Sequence, residues 1–229
     1  MIKVGNAMIN PTKIICLGVN YMDHIEETGL EVPVEPLIFS KTLNCLITNN
    51  QPIIYPKYLY SNRRYNRVDF EVELAFIVKD KCKHVPAENV YDHILGFTVF
   101  NDVTARKMQT KDIVSQKPWF RSKSFDTFGC IGPVIKKVSE IRDPHNLDIE
   151  LKVNGELKQS SNTKHLLFKI PETFEYITKF FTMEPGDIIA TGTPGGIGPI
   201  EPGDLIEATI ENIGTLINKV ILEGEEENL

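Results

Sequence analysis

Glu71 and Glu73 stand two residues apart in Val68-Asp-Phe-Glu-Val-Glu-Leu-Ala-Phe-Ile-Val78, a run that alternates apolar and acidic positions before turning wholly apolar. Two-residue periodicity is that of a strand, with Phe70, Val72, Leu74 and Phe76 on one face and Asp69, Glu71 and Glu73 on the other. Neighbouring carboxylates repel unless a cation sits between them; the plain alternative is a solvated acidic face. A third acid, Asp102, ends the apolar run in Gly96-Phe-Thr-Val-Phe-Asn-Asp-Val-Thr-Ala-Arg106, where a strand is expected to give way to a helix and where Asp is also a good N-cap. Three carboxylates with no His or Cys cluster make a hard-oxygen site, suited to Mg²⁺, Mn²⁺ or Ca²⁺ rather than zinc.

Other residues offer acid–base and anion chemistry. In Gly18-Val-Asn-Tyr-Met-Asp-His-Ile-Glu-Glu27, His24 precedes Glu27 by three residues. On a helix the pair shares a face, so Glu27 can orient the imidazole to take a proton from water, or the two form a surface pair. Thr191-Gly-Thr-Pro-Gly-Gly-Ile-Gly198 follows a short strand and can turn backbone N–H groups and the Thr193 hydroxyl toward an oxyanion, or be a plain glycine turn. Lys123 is unremarkable alone. His84, His93, His145 and His165 lack metal-ligand spacing, and Cys16, Cys45, Cys82 and Cys130 form no Cys-x-x-Cys pair, so the thiols read as reduced and the histidines as structural or surface. There is no Gly-x-Ser-x-Gly, His-Glu-x-x-His or Walker lysine.

The elements that must position these groups are mostly strands. Short β-branched runs, from Ile14–Val19 to Leu216–Leu222, are separated by turn residues such as Glu184-Pro-Gly-Asp187 and Glu201-Pro-Gly-Asp204. Helices are expected over 171–181, with Phe174, Ile177 and Phe181 as its apolar stripe, from about Asp102 toward Val114, and over Tyr21–Thr28. The last reads as a mobile cover within 20–30. The reading is a mixed, β-rich α+β chain forming one catalytic domain over 1–222, with a frayed acidic tail at 223–229. With 229 residues and a net charge of −6, the chain has no basic stripe for nucleic acid, and no run approaches the ~18 apolar residues that span a bilayer. The default location is the cytoplasm.

Together and in order, these segments resemble the fumarylacetoacetate hydrolase family, in particular its compact, single-domain acylpyruvase-type members. The landmarks are Gly18-x-Asn-Tyr-x-x-His-x-x-Glu27, Phe39-x-Lys41, Asp69-x-Glu-x-Glu-Leu74, Asn101-Asp-Val-Thr-Ala-Arg106, Lys123-Ser-Phe-Asp126, and Pro185-Gly-Asp followed by Thr191-Gly-Thr-Pro-x-Gly196. The resemblance implies a roll of mixed sheets with few helices, a homodimer, and Mg²⁺ or Mn²⁺ held by Glu71, Glu73 and Asp102. It further implies that Lys123 contacts substrate beside the metal, that Thr193 holds the substrate carboxylate, that Arg106 and Gln109 line the pocket, and that His24 and Glu27 are the water-activating lid dyad. The expected activity is hydrolysis of a 2,4-diketo acid, an acylpyruvate, to pyruvate and a carboxylate. The alternatives are oxaloacetate decarboxylation or tautomerisation, isomerisation of an unsaturated 2-oxo diacid such as 2-hydroxyhepta-2,4-diene-1,7-dioate, and silent binding of a 2-oxo acid. Two departures stand out: Thr42 replaces a common Pro, and the basic loop Asn62-Arg-Arg-Tyr-Asn-Arg67 either favours a second substrate carboxylate or decorates the exterior.

Overall fold

The computed structural model describes residues 1–23 and 32–225. A seven-stranded sheet runs in the order Leu37–Lys41, Ile14–Gly18, Ile188–Ala190, Val72–Val78, Ile94–Asp102, Gly129–Lys137 and Leu46–Thr48. A five-stranded sheet is ordered Glu156–Asn162, Asp148–Val153, Leu205–Ile210, Gly214–Leu222 and Ile53–Tyr55. Both are mixed: Ile188–Ala190 lies parallel to Ile14–Gly18, and Gly214–Leu222 parallel to Ile53–Tyr55, among antiparallel neighbours. This is the β-rich α+β architecture that the strand count implies. Among the described residues, no helix is long and apolar enough to cross a membrane.

The run 68–78 is not one half-solvated strand. Val68–Phe70 pairs with Thr104–Ala105 and Gly198–Ile200 in a separate three-stranded sheet, and Val72–Val78 enters the large one, so the chain changes sheets at Glu71. Val72, Leu74, Phe76 and Val78 join the main core while Ala75 and Ile77 join a second cluster on the opposite face. A strand covered on both sides leaves no solvated face for the acids. Phe76 meets Phe174 of the helix Ile170–Phe180 edge-on, centroids 5.6 Å apart, and burial of each such large side chain contributes about 1.5–3 kcal/mol.

The helices correct two expectations, while most of the helix expected over Tyr21–Thr28 lies outside the described residues. Ile170–Phe180 starts one residue early, with the Glu172 carboxylate accepting the Lys169 N–H at 3.0 Å; Phe181 caps it in extended conformation, 41% exposed, so Ile170 rather than Phe181 completes the buried stripe with Phe174 and Ile177. Asp102 is the last residue of a strand, not a helix cap, and the helix is Arg106–Val114. Of the segment expected to cover the pocket, Asn20 and Tyr21 are buried anchors: the Asn20 side chain accepts from Phe168 N–H at 2.8 Å and donates to Thr191 C=O at 2.8 Å. The acidic tail begins tethered, since Glu223 N–H donates to Tyr55 C=O and its carboxylate accepts the Lys57 N–H.

Candidate active site

Glu71 occupies the break between two strands. Its N–H donates to Asn101 Oδ1 at 2.9 Å and its C=O accepts the Asp102 N–H at 2.8 Å, which ties the break to the strand carrying the third acid. Val72–Val78 pairs antiparallel with Ile94–Asp102, Val72 opposite Asn101, so the three carboxylates converge at one end of this strand pair. One oxygen from each of Glu71, Glu73 and Asp102 lies within 4.8 Å of the others, and all three residues are buried.

Cations balance this cluster unevenly. Lys123 Nζ donates to Glu71 Oε2 at 2.8 Å and to Asp102 Oδ2 at 2.5 Å; Lys41 Nζ reaches Asp102 Oδ1 at 2.5 Å. Arg106 bridges Asp69 (2.8 Å), Glu71 and Gln109 Oε1 (2.5 Å), and the Thr104 hydroxyl donates to Glu71 Oε1 at 2.9 Å. Glu73 has no ion pair among the described residues and accepts a bond from Gly192 N–H at 2.8 Å. Burial opposes ionisation of Glu71, but Lys123 and Arg106 overcome it and hold the carboxyl at about 2. Burial, then Asp102 and Glu71, push the Glu73 carboxyl well above the ordinary range. A buried acid without an ion pair, between two that have theirs, completes an all-oxygen donor set that a divalent ion fits.

The Thr-Gly-Thr-Pro loop is held against this centre. Gly192 has φ +93°, and a Cβ there would lie 3.0 Å from Asn20 Cβ, so glycine lets the backbone deliver its N–H to Glu73. Gln159, on the strand Glu156–Asn162, donates from Nε2 to Thr193 Oγ1 at 2.9 Å and Pro194 C=O at 3.0 Å, while its Oε1 accepts the Val72 N–H at 3.0 Å. Over the acids opens a cavity of about 440 Å³ with Glu71, Glu73, Arg106, Gln109, Lys123 and Thr193 at its polar end. Leu17, Leu37, Phe39, Ile113, Trp119 and Ile197 supply most of its apolar lining. Trp119 stands edge-on to Phe39 at 5.4 Å, and Lys123 Nζ lies 4.9 Å from the Phe39 ring centre.

Of the residues singled out in the sequence, Glu71, Glu73, Asp102, Arg106, Gln109, Lys123 and Thr193 therefore come together. His24 and Glu27 lie outside the described residues. Lys41, Asn101, Trp119 and Gln159 complete the site; only Lys41 and Asn101 stood within a motif, and none had a role from sequence. The basic loop does not reach the cavity: Arg67 pairs with Asp69 at 2.8 Å, and Arg64 lines a separate groove with Tyr65, Lys111, Lys117 and Arg121.

Curled mixed sheets around a buried acidic triad, opening into an apolar-walled cavity, define a candidate metalloenzyme centre. Residues 13–221 match the family model for the fumarylacetoacetate (FAA) hydrolase C-terminal domain, and the chain belongs to that family. It is 50% identical over 219 residues to an uncharacterized protein of Pyrococcus abyssi, covering 96% of this chain and 94% of the relative. It is 40% identical to the mitochondrial oxaloacetate tautomerase of Xenopus laevis, covering 93% of this chain and 66% of that one. The 2-hydroxyhepta-2,4-diene-1,7-dioate isomerase of Mycobacterium marinum superposes with a TM-score of 0.82 at 39% identity, over 94% of this chain and 77% of that one. The fumarylpyruvate hydrolase of Pseudomonas aeruginosa, solved with Mn²⁺ and pyruvate, gives 0.87 at 28% identity, over 96% and 93%. The relatives thus include hydrolases, isomerases and tautomerases.

Proposed function

We propose that this chain is a divalent-metal-dependent enzyme that hydrolyses the carbon–carbon bond of an acylpyruvate, releasing pyruvate and a carboxylate. The observation that carries the reading is the division of the cavity into a charged floor and apolar walls: a 2-oxo acid head fits the first and an uncharged acyl group the second. Glu71, Glu73 and Asp102 would hold Mg²⁺ or Mn²⁺, which when bound supplies chelation of the carboxylate and 2-oxo oxygens and an electron sink.

The chain's own groups perform the rest. Thr193, fixed by Gln159, donates its hydroxyl to the substrate carboxylate, and Arg106 fixes Gln109 at the cavity's edge. Leu37, Ile113, Trp119 and Ile197 offer apolar contact to the acyl group. His24, oriented by Glu27, takes the proton of a water attacking C4; the C3–C4 electron pair passes into a pyruvate enolate, which then takes a proton at C3. Lys123 faces that developing charge, an electrostatic contribution of several kcal/mol in a buried site. With acetylpyruvate, a proton NMR time course is expected to show acetate and pyruvate appearing together with Mg²⁺ and neither after EDTA. His24→Ala should retain metal affinity and lose roughly 10²–10⁴-fold in hydrolysis; undiminished hydrolysis refutes the dyad.

Tautomerisation of oxaloacetate is the second reading, favoured by the 40% identity to a protein of that name. It would use the same floor, with Lys123 and Gln109 handling the proton. Against it stands the fate of oxaloacetate's second carboxylate: Arg106 and Lys123, the cations at the cavity, are both engaged with acids at its floor. Accelerated ketonisation of enol-oxaloacetate without cleavage of acetylpyruvate would select this reading.

A further inference from the structure

A second cluster of metal-ligating side chains lies at the opposite end of the same two strands. Val72–Val78 leads into Asp80-Lys-Cys82, and His93 closes the 3-10 helix Ala87–His93 just before the strand Ile94–Asp102. The connection is pinned by three backbone bonds: Lys79 N–H donates to His93 C=O at 2.8 Å, and Cys82 exchanges two with Met183 at 3.0 and 2.9 Å. One donor atom each from Asp80, Cys82 and His93 lies within 4.8 Å of the other two, and His93 Nδ1 sits 2.6 Å from Asp80 Oδ1. Neighbouring cations are committed elsewhere, Lys79 to the Asp92 C=O at 3.0 Å, Lys81 to Glu184 at 2.9 Å and Lys13 to Asp187.

We propose that Asp80, Cys82 and His93 form a second metal site that takes a single Zn²⁺, separate from the acidic centre and serving to clamp the connection between its two strands. Thiolate, imidazole and carboxylate are the mixed donor set of zinc, and three protein ligands leave a fourth position for water. The hard-oxygen triad selects against zinc by the same logic, so the two ends discriminate between ions. Tetrahedral coordination places donors ~3.3–3.8 Å apart. Cys82 is the buried ligand, and Asp80 and His93, with side chains 47% and 31% exposed, have room to adjust to that spacing. A purely redox role fits poorly, because Cys16, Cys45 and Cys130 are buried elsewhere in the fold and offer no resolving partner among the described residues.

The test is a titration of the reduced, metal-stripped full chain with Co²⁺ in excess Mg²⁺, read by the thiolate-to-cobalt charge-transfer absorption. One equivalent of Co²⁺ per chain should develop the band, Zn²⁺ should bleach it, and Mg²⁺ should not. Cys82→Ser should abolish it. His93→Gln, at a half-exposed position that leaves folding intact, should weaken cobalt affinity at least ~10-fold. Absence of the band, its survival in Cys82→Ser, or unchanged affinity in His93→Gln would overturn the proposal. None of these outcomes depends on acylpyruvate turnover.

Discussion

The strands Val72–Val78 and Ile94–Asp102 carry a cluster of ionisable groups at each end, and the two ends meet different dielectric conditions. At the catalytic end Glu71, Glu73 and Asp102 are at most 5% exposed, and protein cations or a metal must answer each charge. At the other end Asp80 and His93 sit in partial contact with water, which shares the cost of their charge. The contrast teaches that location along one strand pair, more than residue type, sets how much an ion pair matters. The same lesson is repeated in miniature at Glu71 and Glu73, two residues apart, where the presence of Lys123 and Arg106 beside one and not the other sends the carboxyls in opposite directions.

Substitutions can break this contrast in order of effect. Glu71→Gln should reduce metal-dependent turnover to background and also destabilise the metal-free fold by about 3–5 kcal/mol, because Lys123 and Arg106 lose a buried counter-charge; denaturant melts in EDTA measure this. Glu73→Gln should abolish turnover equally, yet leave the metal-free fold above the ordinary glutamate range as stable as the parent or more so, since a neutral amide replaces an acid whose ionisation burial opposes. The parent's pH profile sharpens the point. Between the ordinary glutamate pKa and the raised folded value, native Glu73 retains a proton that the unfolded chain has lost, so metal-free stability falls as pH rises through that window. Glu71 acts with the reverse sign: its contribution is full above the ordinary glutamate value and is lost as pH falls toward about 2. Thermal melts with EDTA should therefore show a decline as pH rises above the ordinary glutamate value, which Mg²⁺ or Glu73→Gln removes. Smallest of all, Asp80→Asn without added zinc should change stability by less than ~1 kcal/mol, the scale of an exposed pair.

Much of this was legible in the chain's own order. The two-residue spacing of Glu71 and Glu73, Asp102 at the end of an apolar run, and their company with the glycine-rich turn located the acidic centre, and the punctuated β-branched runs located the strands. Period-two alternation could not reveal that the acidic face is buried, because that depends on a sheet change at Glu71 enforced by Asn101 from thirty positions away. Asp102 satisfied the chemistry of an N-cap, and tertiary pairing with Gly129 extended the strand through it instead. Gln159 carries no local signal at all, since its partners lie on the strand Val72–Val78 and in a loop far along the chain. Cys82 and His93 escaped because ten residues of turn and 3-10 helix separate ligands that the closed connection then brings together.

The Gln159 side chain has a consequence for the timing of motion. It is the bonding partner of the Val72 amide, and it comes from an edge strand of the other large sheet. In amide-exchange terms that proton is guarded by a side chain rather than by a ladder partner, so it opens when the Glu156–Asn162 edge lifts, while its neighbours in the seven-stranded sheet stay protected. The same lifting frees Thr193 and Pro194. Loosening of the Thr-Gly-Thr-Pro loop and exposure of the first amide of Val72–Val78 are thus one local event, set by the stability of an edge that holds none of the three clustered acids.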